Sequence, residues 1–212
     1  KKVNIINYGS ACGIDLIKTK KDEYFIKKIK KKINFSSKDI IILYIGRPNR
    51  RKGFFDLLEI WEKEFALDKK FKLILLGINS LDIEKILKRV PENVFPESFV
   101  DNVHDYHQIA DYLFMTSHHE GLNYSVIESF KYGTIVLSNS IPGVTELISN
   151  KINGFLIEKN CSKSYLNTLE ECEKNIQLKK NIIKQGKKIL KKYDRNKFLE
   201  KYKIFLKGYI NY

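Results

Sequence analysis

From Asp39 to Ile157, short β-branched apolar runs alternate with segments whose apolar residues recur at helical spacing. The run IIILYIG (Ile40–Gly46) closes on glycine and leads into FFDLLEIWEKEF, where Phe54, Leu57, Leu58 and Trp61 share one helical face. FKLILLG (Phe71–Gly77) repeats the pattern; a helix is expected over Asp82–Val90, a weak strand near Phe99–Val100 and a short helix around His104–Ala110. YLFMT (Tyr112–Thr116), a helix Tyr124–Tyr132, TIVLS (Thr134–Ser138), a helix near Thr145–Ile148 and FLI (Phe155–Ile157) complete the series. Strands this continuously apolar need cover on both faces, which helical crossovers provide and hairpins do not. The pattern therefore predicts an α/β fold with a doubly wound parallel sheet, followed over Ser162–Asn211 by three more helices. Ligands of such sheets bind beyond the carboxyl ends of the strands, here the loops after Ile45, Leu76, Val100, Thr116 and Ser138.

The chain carries a formal charge of +14, which invites a polyanionic partner. The distribution of that charge argues otherwise. Residues 18–38 hold nine Lys against two acids, and residues 174–207 hold thirteen Lys/Arg against two acids. Residues 39–173 hold fifteen Lys/Arg against twenty acids, so the basic excess lies outside the alternating segment. Solvated Lys-rich helix faces account for both flanks. Peripheral contact with an anionic membrane surface is the alternative, and nucleic acid is not an expected partner. No apolar run nears the ~18 residues of a membrane-spanning helix, and Lys1–Asn4 lacks the apolar core of a signal peptide, so a cytoplasmic place is expected. Cys12, Cys161 and Cys172 show no C-x-x-C spacing, as reduced cysteines do rather than a disulfide framework or a zinc site.

Three constellations carry chemistry. In GRPNRRKG (Gly46–Gly53) a glycine-bounded loop runs from a strand end into a helix start, and Arg47 and Lys52 stand beside the positive end of that helix. A planar fork plus a point charge is how a diphosphate is held; the order is not that of a P-loop. In EGLNYSVIE two carboxylates, Glu120 and Glu128, lie eight residues apart, with Gly121 permitting close backbone approach and Asn123 placed to cap the next helix. Carboxylates suit sugar hydroxyls, because one group accepts from two donors; two solvated Glu would be the plain alternative. In SNSIPGVTE, Pro142 and Gly143 form a turn before an expected helix that Thr145 or Glu146 would cap. His118 and His119 lack a ligand-spaced carboxylate and read as structural, with no metal site.

Taken in order, G-R-x(4)-K-G, E-G-x(6)-E and P-G-V-x-E on a strand–helix framework resemble the C-terminal domain of GT-B glycosyltransferases, in the large retaining family 4 that builds cell-surface polysaccharides, lipopolysaccharides and glycolipids. The match covers roughly residues 39–160, and GIDLIK near Gly13 resembles the linker leaving that family's first domain. The resemblance implies a Rossmann-like donor-binding domain over 39–160, preceded by a linker strand and basic helix over 1–38 and followed by a helical extension over 161–212. It implies that Gly46, Arg47 and Lys52 hold the diphosphate of a UDP- or GDP-sugar, that Glu120 contacts the transferred sugar, and that Glu128 contacts the ribose. Backbone groups of Gly121, Leu122 and Asn123 would face the distal phosphate or sugar; Asn123 stands where the family often has a second glycine. Catalysis would be electrostatic, through Arg47, Lys52 and Glu120, with the nucleotide-sugar as substrate and no further cofactor. The acceptor would be a glycan or lipid-linked sugar, held largely by an N-terminal domain expected to precede this chain. Other readings are a nucleotide-sugar epimerase or phosphorylase of the same fold, or a non-catalytic module binding polyanions.

Overall fold

The computed structural model describes residues 13–17, 20, 22–158 and 161–210. Cys12, Lys18 and the expected first linker residues lie outside them. Its sheet contains β1 (Ile40–Ile45), β2 (Phe71–Leu76), β3 (Val94–Glu97), β4 (Tyr112–Met115), β5 (Ile135–Asn139) and β6 (Phe155–Ile157). All pairings are parallel, and the spatial order is β3-β2-β1-β4-β5-β6. The order reverses between β1 and β4, which puts the loops following these two strands on either side of one crevice.

The apolar strands divide their residues between two cores, because successive side chains point to opposite faces. Ile42, Tyr44, Leu73 and Leu75 pack with Tyr112, Phe114 and Leu137 under α2 (Phe54–Glu64) and α6 (Ser162–Lys174). On the other face Ile41, Leu43, Ile74 and Leu76 pack with Leu113 and Val136 under α1 (Glu23–Lys32), α4 (Val103–Ile109) and α5 (Tyr124–Tyr132). Helix α2 buries Phe54, Leu57, Leu58 and Trp61, the four residues of the predicted face, together with Ile60. Helix α1 starts at Asp22, whose side chain accepts from Phe25 N at 2.9 Å, and turns Ile26 and Ile29 inward while its last turn carries Lys30, Lys31 and Lys32.

The structure differs from expectation at three places. The weak strand is Val94–Glu97, not Phe99–Val100, and Phe99 is exposed. As an edge strand β3 has a single neighbour, so it tolerates Pro96 and needs no continuous apolar run. Helix α3 runs Ser80–Leu87 rather than Asp82–Val90: Asn79 and Asp82 form a reciprocal capping box at its start, and Lys88 ends it in the left-handed region. No helix forms at Thr145–Ile148; the segment is a series of turns, with Thr145 and Glu146 exposed and Ile141, Val144, Leu147 and Ile148 buried. A helical repeat of apolar residues there serves turns, since one-turn periodicity does not distinguish the two.

The tail holds the expected three helices, α6, α7 (Ile176–Ile189) and α8 (Arg195–Ile210), with a 3-10 turn at Leu190–Lys192. Tyr165, Leu169 and Cys172 of α6 and Ile182 of α7 join the core under α2. The start of α8 is tied to the described part of the linker, where Ile14 N donates to Tyr193 O and Arg195 N donates to Ile14 O at 2.7 and 2.9 Å. Among the described residues, no helix is long and apolar enough to cross a membrane.

Candidate functional site

The loop from β1 to α2 ends at Gly53, whose φ of +64° puts it in the left-handed region. A Cβ there would lie 1.9 Å from Thr116 O, so this glycine is needed for conformation and for clearance. Thr116 Oγ1 donates to Gly53 O at 2.7 Å, and His118 N donates to Arg51 O at 2.9 Å. Beneath the loop, the buried Tyr44 hydroxyl donates to Lys52 O at 3.1 Å. These bonds hold the loop after β1 against the loop after β4. No side chain caps the start of α2 at the crevice, where the loop backbone takes up Phe54 N through Asn49 O at 3.3 Å.

The loop after β4 enters α5 through Asn123, which is buried. Its side-chain oxygen accepts from Val126 N at 3.3 Å and its amide donates to Met115 Sδ at 3.0 Å, as the expected helix cap. Leu122 is half-buried against the α5-side core, and Gly121 is exposed with nothing near its Cβ position. Glu120 turns back towards the first loop: its Oε1 meets Lys52 Nζ at 2.7 Å, with side-chain exposures of 7% and 21%. This ion pair joins the two constellations across the crevice, as the carboxyl-end rule predicts. It is too enclosed to be counted among surface pairs, and removing one partner would leave the other charge poorly solvated. The third constellation comes up behind: Gly143, at φ +83°, would place a Cβ 2.5 Å from both Glu120 O and Gly121 O. Three loops therefore meet at Glu120.

The other predicted residues are placed differently. Arg47 is exposed, and among the described residues nothing hydrogen-bonds or ion-pairs with its guanidinium, so it is free to meet an anion. Gly46 sits against the Tyr44 ring, where a Cβ would fall 2.8 Å from the hydroxyl. Glu128 is in no ion pair with Arg47 or Lys52; it faces α4, with Oε2 3.8 Å from Nε2 of the fully buried His107. Burial raises the Glu128 carboxyl above its usual pKa and pushes His107 down to about 3, helped by the nearby His104. His118, read as structural, has Nε2 2.5 Å from Asp56 Oδ2 on α2, while His119 is exposed.

Sequence reasoning missed the support behind these loops. Asn139, at the end of β5, donates through Nδ2 to Thr116 O at 2.8 Å and Ser117 O at 3.3 Å, and its Oδ1 accepts from the Tyr165 hydroxyl at 3.0 Å. Thr116, Ser117 and Asn139 are all buried, so these bonds satisfy polar groups that water does not reach. A polar pair ending an apolar strand, Ser138–Asn139, was the available signal.

The family model for glycosyl transferases group 1 matches residues 25–189, most of the chain, including all six strands and helices α2 to α7. The chain belongs to this family. Members similar to it include the capsular polysaccharide biosynthesis glycosyltransferase CapM of Staphylococcus aureus, 25% identical over 196 residues that cover 88% of this chain and 50% of that protein. The chain thus spans about half the length of the relatives it matches. Two solved structures show the fold. Anabaena HepE in complex with UDP-glucose superposes with a TM-score of 0.79 at 19% identity, covering 92% of this chain and 56% of that one. The C-terminal domain of the group 1 family protein LpcC of Francisella tularensis superposes with a TM-score of 0.67 at 18% identity, covering 86% of this chain and 99% of that domain. The sheet order, the crevice and the tail are accordingly those of the second half of a GT-B fold.

Proposed function

We propose that the whole protein transfers a hexose from a UDP- or GDP-sugar, with retention, to a glycan or lipid-linked acceptor in cell-surface polysaccharide synthesis, and that this chain is its donor-binding half. The observation that carries the reading is the Lys52–Glu120 pair where three loops meet, with the free Arg47 and the uncapped start of α2 beside it. A diphosphate entering there finds a guanidinium, an ammonium and the positive end of α2; a sugar beyond it finds a carboxylate already fixed in place. Glu128, one turn into α5, is the candidate for the ribose hydroxyls. The names of CapM and of HepE with UDP-glucose support both the polysaccharide setting and the donor class. Retention rests on the resemblance of the motif spacing, and the division at 38/39 and 160/161 into linker, donor domain and helical extension on the same ground.

In this mechanism the bond from the anomeric carbon to the diphosphate breaks, and negative charge grows on the leaving oxygen. Lys52 and Arg47 stabilise that charge more as it develops than before, so they act on the transition state. Glu120 holds Lys52 in position until the donor arrives and then orients the sugar. The test is Lys52→Ala in the full-length protein, with donor affinity and turnover measured separately and folding checked by melting. Turnover should fall ~100-fold or more, beyond any loss in donor affinity. An unchanged turnover number with only a raised Michaelis constant would refute this role for Lys52.

A further inference from the structure

On the α4 side of α5 the ring of His107 is completely enclosed, and its Nε2 has no hydrogen-bond partner among the described residues. Buried polar atoms are rarely left unpaired, so this one calls for an account. Its tautomer follows from its neighbours. Ser129 Oγ donates its single proton to Ser125 O at 2.8 Å, so towards His107 Nδ1, 3.5 Å away, it can only accept. Nδ1 therefore carries the ring proton, and Nε2 is left as a bare acceptor. The ring is held where it stands: it stacks on Tyr132 with 15° between the planes, and Thr134 Oγ1 donates to His107 O at 3.0 Å.

Nε2 faces the Glu128 carboxyl, whose Oε2 lies 3.8 Å away on a side chain that is 40% exposed. Two acceptor atoms so placed repel unless a proton lies between them, and the carboxyl is the group that can bring one. The surrounding charges leave that proton with the pair. On α4, His104 opposes charging of His107, and Asp105 is occupied by Asn102, Gln108 and His104. On α5, Lys131 favours ionised Glu128, but burial outweighs it. Helix α1 meets α4 through the Phe25 and Tyr106 rings, and Thr134, entering β5, adds only its hydroxyl.

We propose that His107 is a positioning residue for Glu128: in the empty site Nε2 accepts the carboxyl proton and turns Glu128 towards α4, and nucleoside binding expels that proton so that the ribose hydroxyls donate to the carboxylate. The proposal rests on the reading of Glu128 as the ribose contact. The expelled proton passes to solvent, because His107, pushed down to about 3, does not keep it near neutral pH. Donor affinity is therefore complete above the raised Glu128 pKa and falls as pH drops through it, by up to about tenfold per pH unit.

The test is calorimetry of the full-length protein with UDP-glucose and GDP-mannose as probes, between about pH 5 and 7.5. Both diphosphates stay fully ionised there, so a proton released on binding comes from the protein. Measurement in two buffers of different ionisation enthalpy counts that proton. In a second arm, the ring nitrogens of 15N-histidine-labelled free protein are followed by NMR over the same range. The parent should release a proton at the acid end, lose affinity there, and show His107 with Nδ1 protonated and a bare Nε2 that senses the Glu128 titration. Glu128→Gln, whose amide donates permanently to Nε2, should bind about tenfold or more weaker at the alkaline end, release no proton and show no acid loss. His107→Phe keeps the stacked ring but offers no acceptor, so proton release should shrink and the acid loss of affinity should move to lower pH. Melting temperatures confirm folding, and His107→Gln replaces His107→Phe if that variant does not fold. Unchanged proton release in the His107 variant, affinity of the parent that is flat with pH, or a ring protonated on Nε2 would each overturn the proposal. If neither sugar nucleotide binds at any pH while the NMR arm still finds Nε2 sensing Glu128, the donor reading falls and the coupling with it, and the pair is a structural contact.

Discussion

Replacing Gly53 by alanine isolates what holds the crevice together. At φ +64° an L-residue costs ~1–2 kcal/mol relative to glycine before any contact is considered. Its Cβ would then stand 1.9 Å from Thr116 O, a backbone atom with no rotamer to escape into. Relief requires the β1–α2 loop to part from the end of β4. That motion breaks the bonds from Thr116 Oγ1 to Gly53 O and from His118 N to Arg51 O, worth about 1 kcal/mol each. The sum is about 3–4 kcal/mol, and in a chain of this size each kcal/mol lowers the melting temperature by roughly 2–4 °C. Gly53→Ala should therefore melt about 6–16 °C below the parent in differential scanning calorimetry. Gly121→Ala is the control, because nothing lies within 4 Å of its Cβ position: its melting point should stay within roughly 2 °C, whatever it does to donor binding. Equal melting of the two variants would mean that the loops are not clamped at Gly53, and the preformed crevice would lose its basis.

Two further predictions concern groups outside the motifs. His107 has a folded pKa of about 3 against ~6.5 when unfolded, so the unfolded chain takes up a proton that the folded one refuses. Its contribution is complete above the unfolded value and is lost, by up to about 1.4 kcal/mol per pH unit, as pH falls from ~6.5 towards 3. Glu128, raised by burial 3.8 Å away, works in the opposite sense, losing stability as pH rises. His107→Gln should flatten the slope of urea-unfolding stability between about pH 4 and 6, and an unchanged slope would assign the pH dependence to other groups. Asn139→Ala removes two bonds to the loop after β4 and strands the Tyr165 hydroxyl, which is only 1% exposed. It should cost about 2–4 kcal/mol in urea unfolding, against about 1 for Tyr165→Phe; equal costs would show that the loop does not depend on Asn139.

What the sequence made legible follows from what each kind of signal encodes. The central strands could be read because burial on both faces demands unbroken apolar runs, as in Ile41–Tyr44 of β1, every residue of which is buried. The edge strand could not: with one neighbour, Val94–Glu97 is under no such demand and carries Pro96 and Glu97, while the more apolar Phe99–Val100 is left in a loop. Helix ends obeyed local chemistry where the capping residue was visible, as at Asn123, and escaped where apolar periodicity alone was used, as at Ser80. The Lys52–Glu120 contact joins residues 68 apart in sequence, and it was foreseeable because the carboxyl-end rule converts two strand assignments into one place. The orientation of Glu128 was not foreseeable by that rule. A loop residue's position is set by its strand, whereas a residue one turn into a helix also has a direction, fixed by the helix's rotation against its neighbours. That rotation is decided by Val126, Ile127 and Phe130 packing into the core, which turns Glu128 towards His107 on α4. If Glu128 does bind a ribose, the nucleoside must lie along the α4 side of the crevice. A donor complex with the nucleoside on the opposite, α2 side would leave Glu128 as a partner of His107 alone.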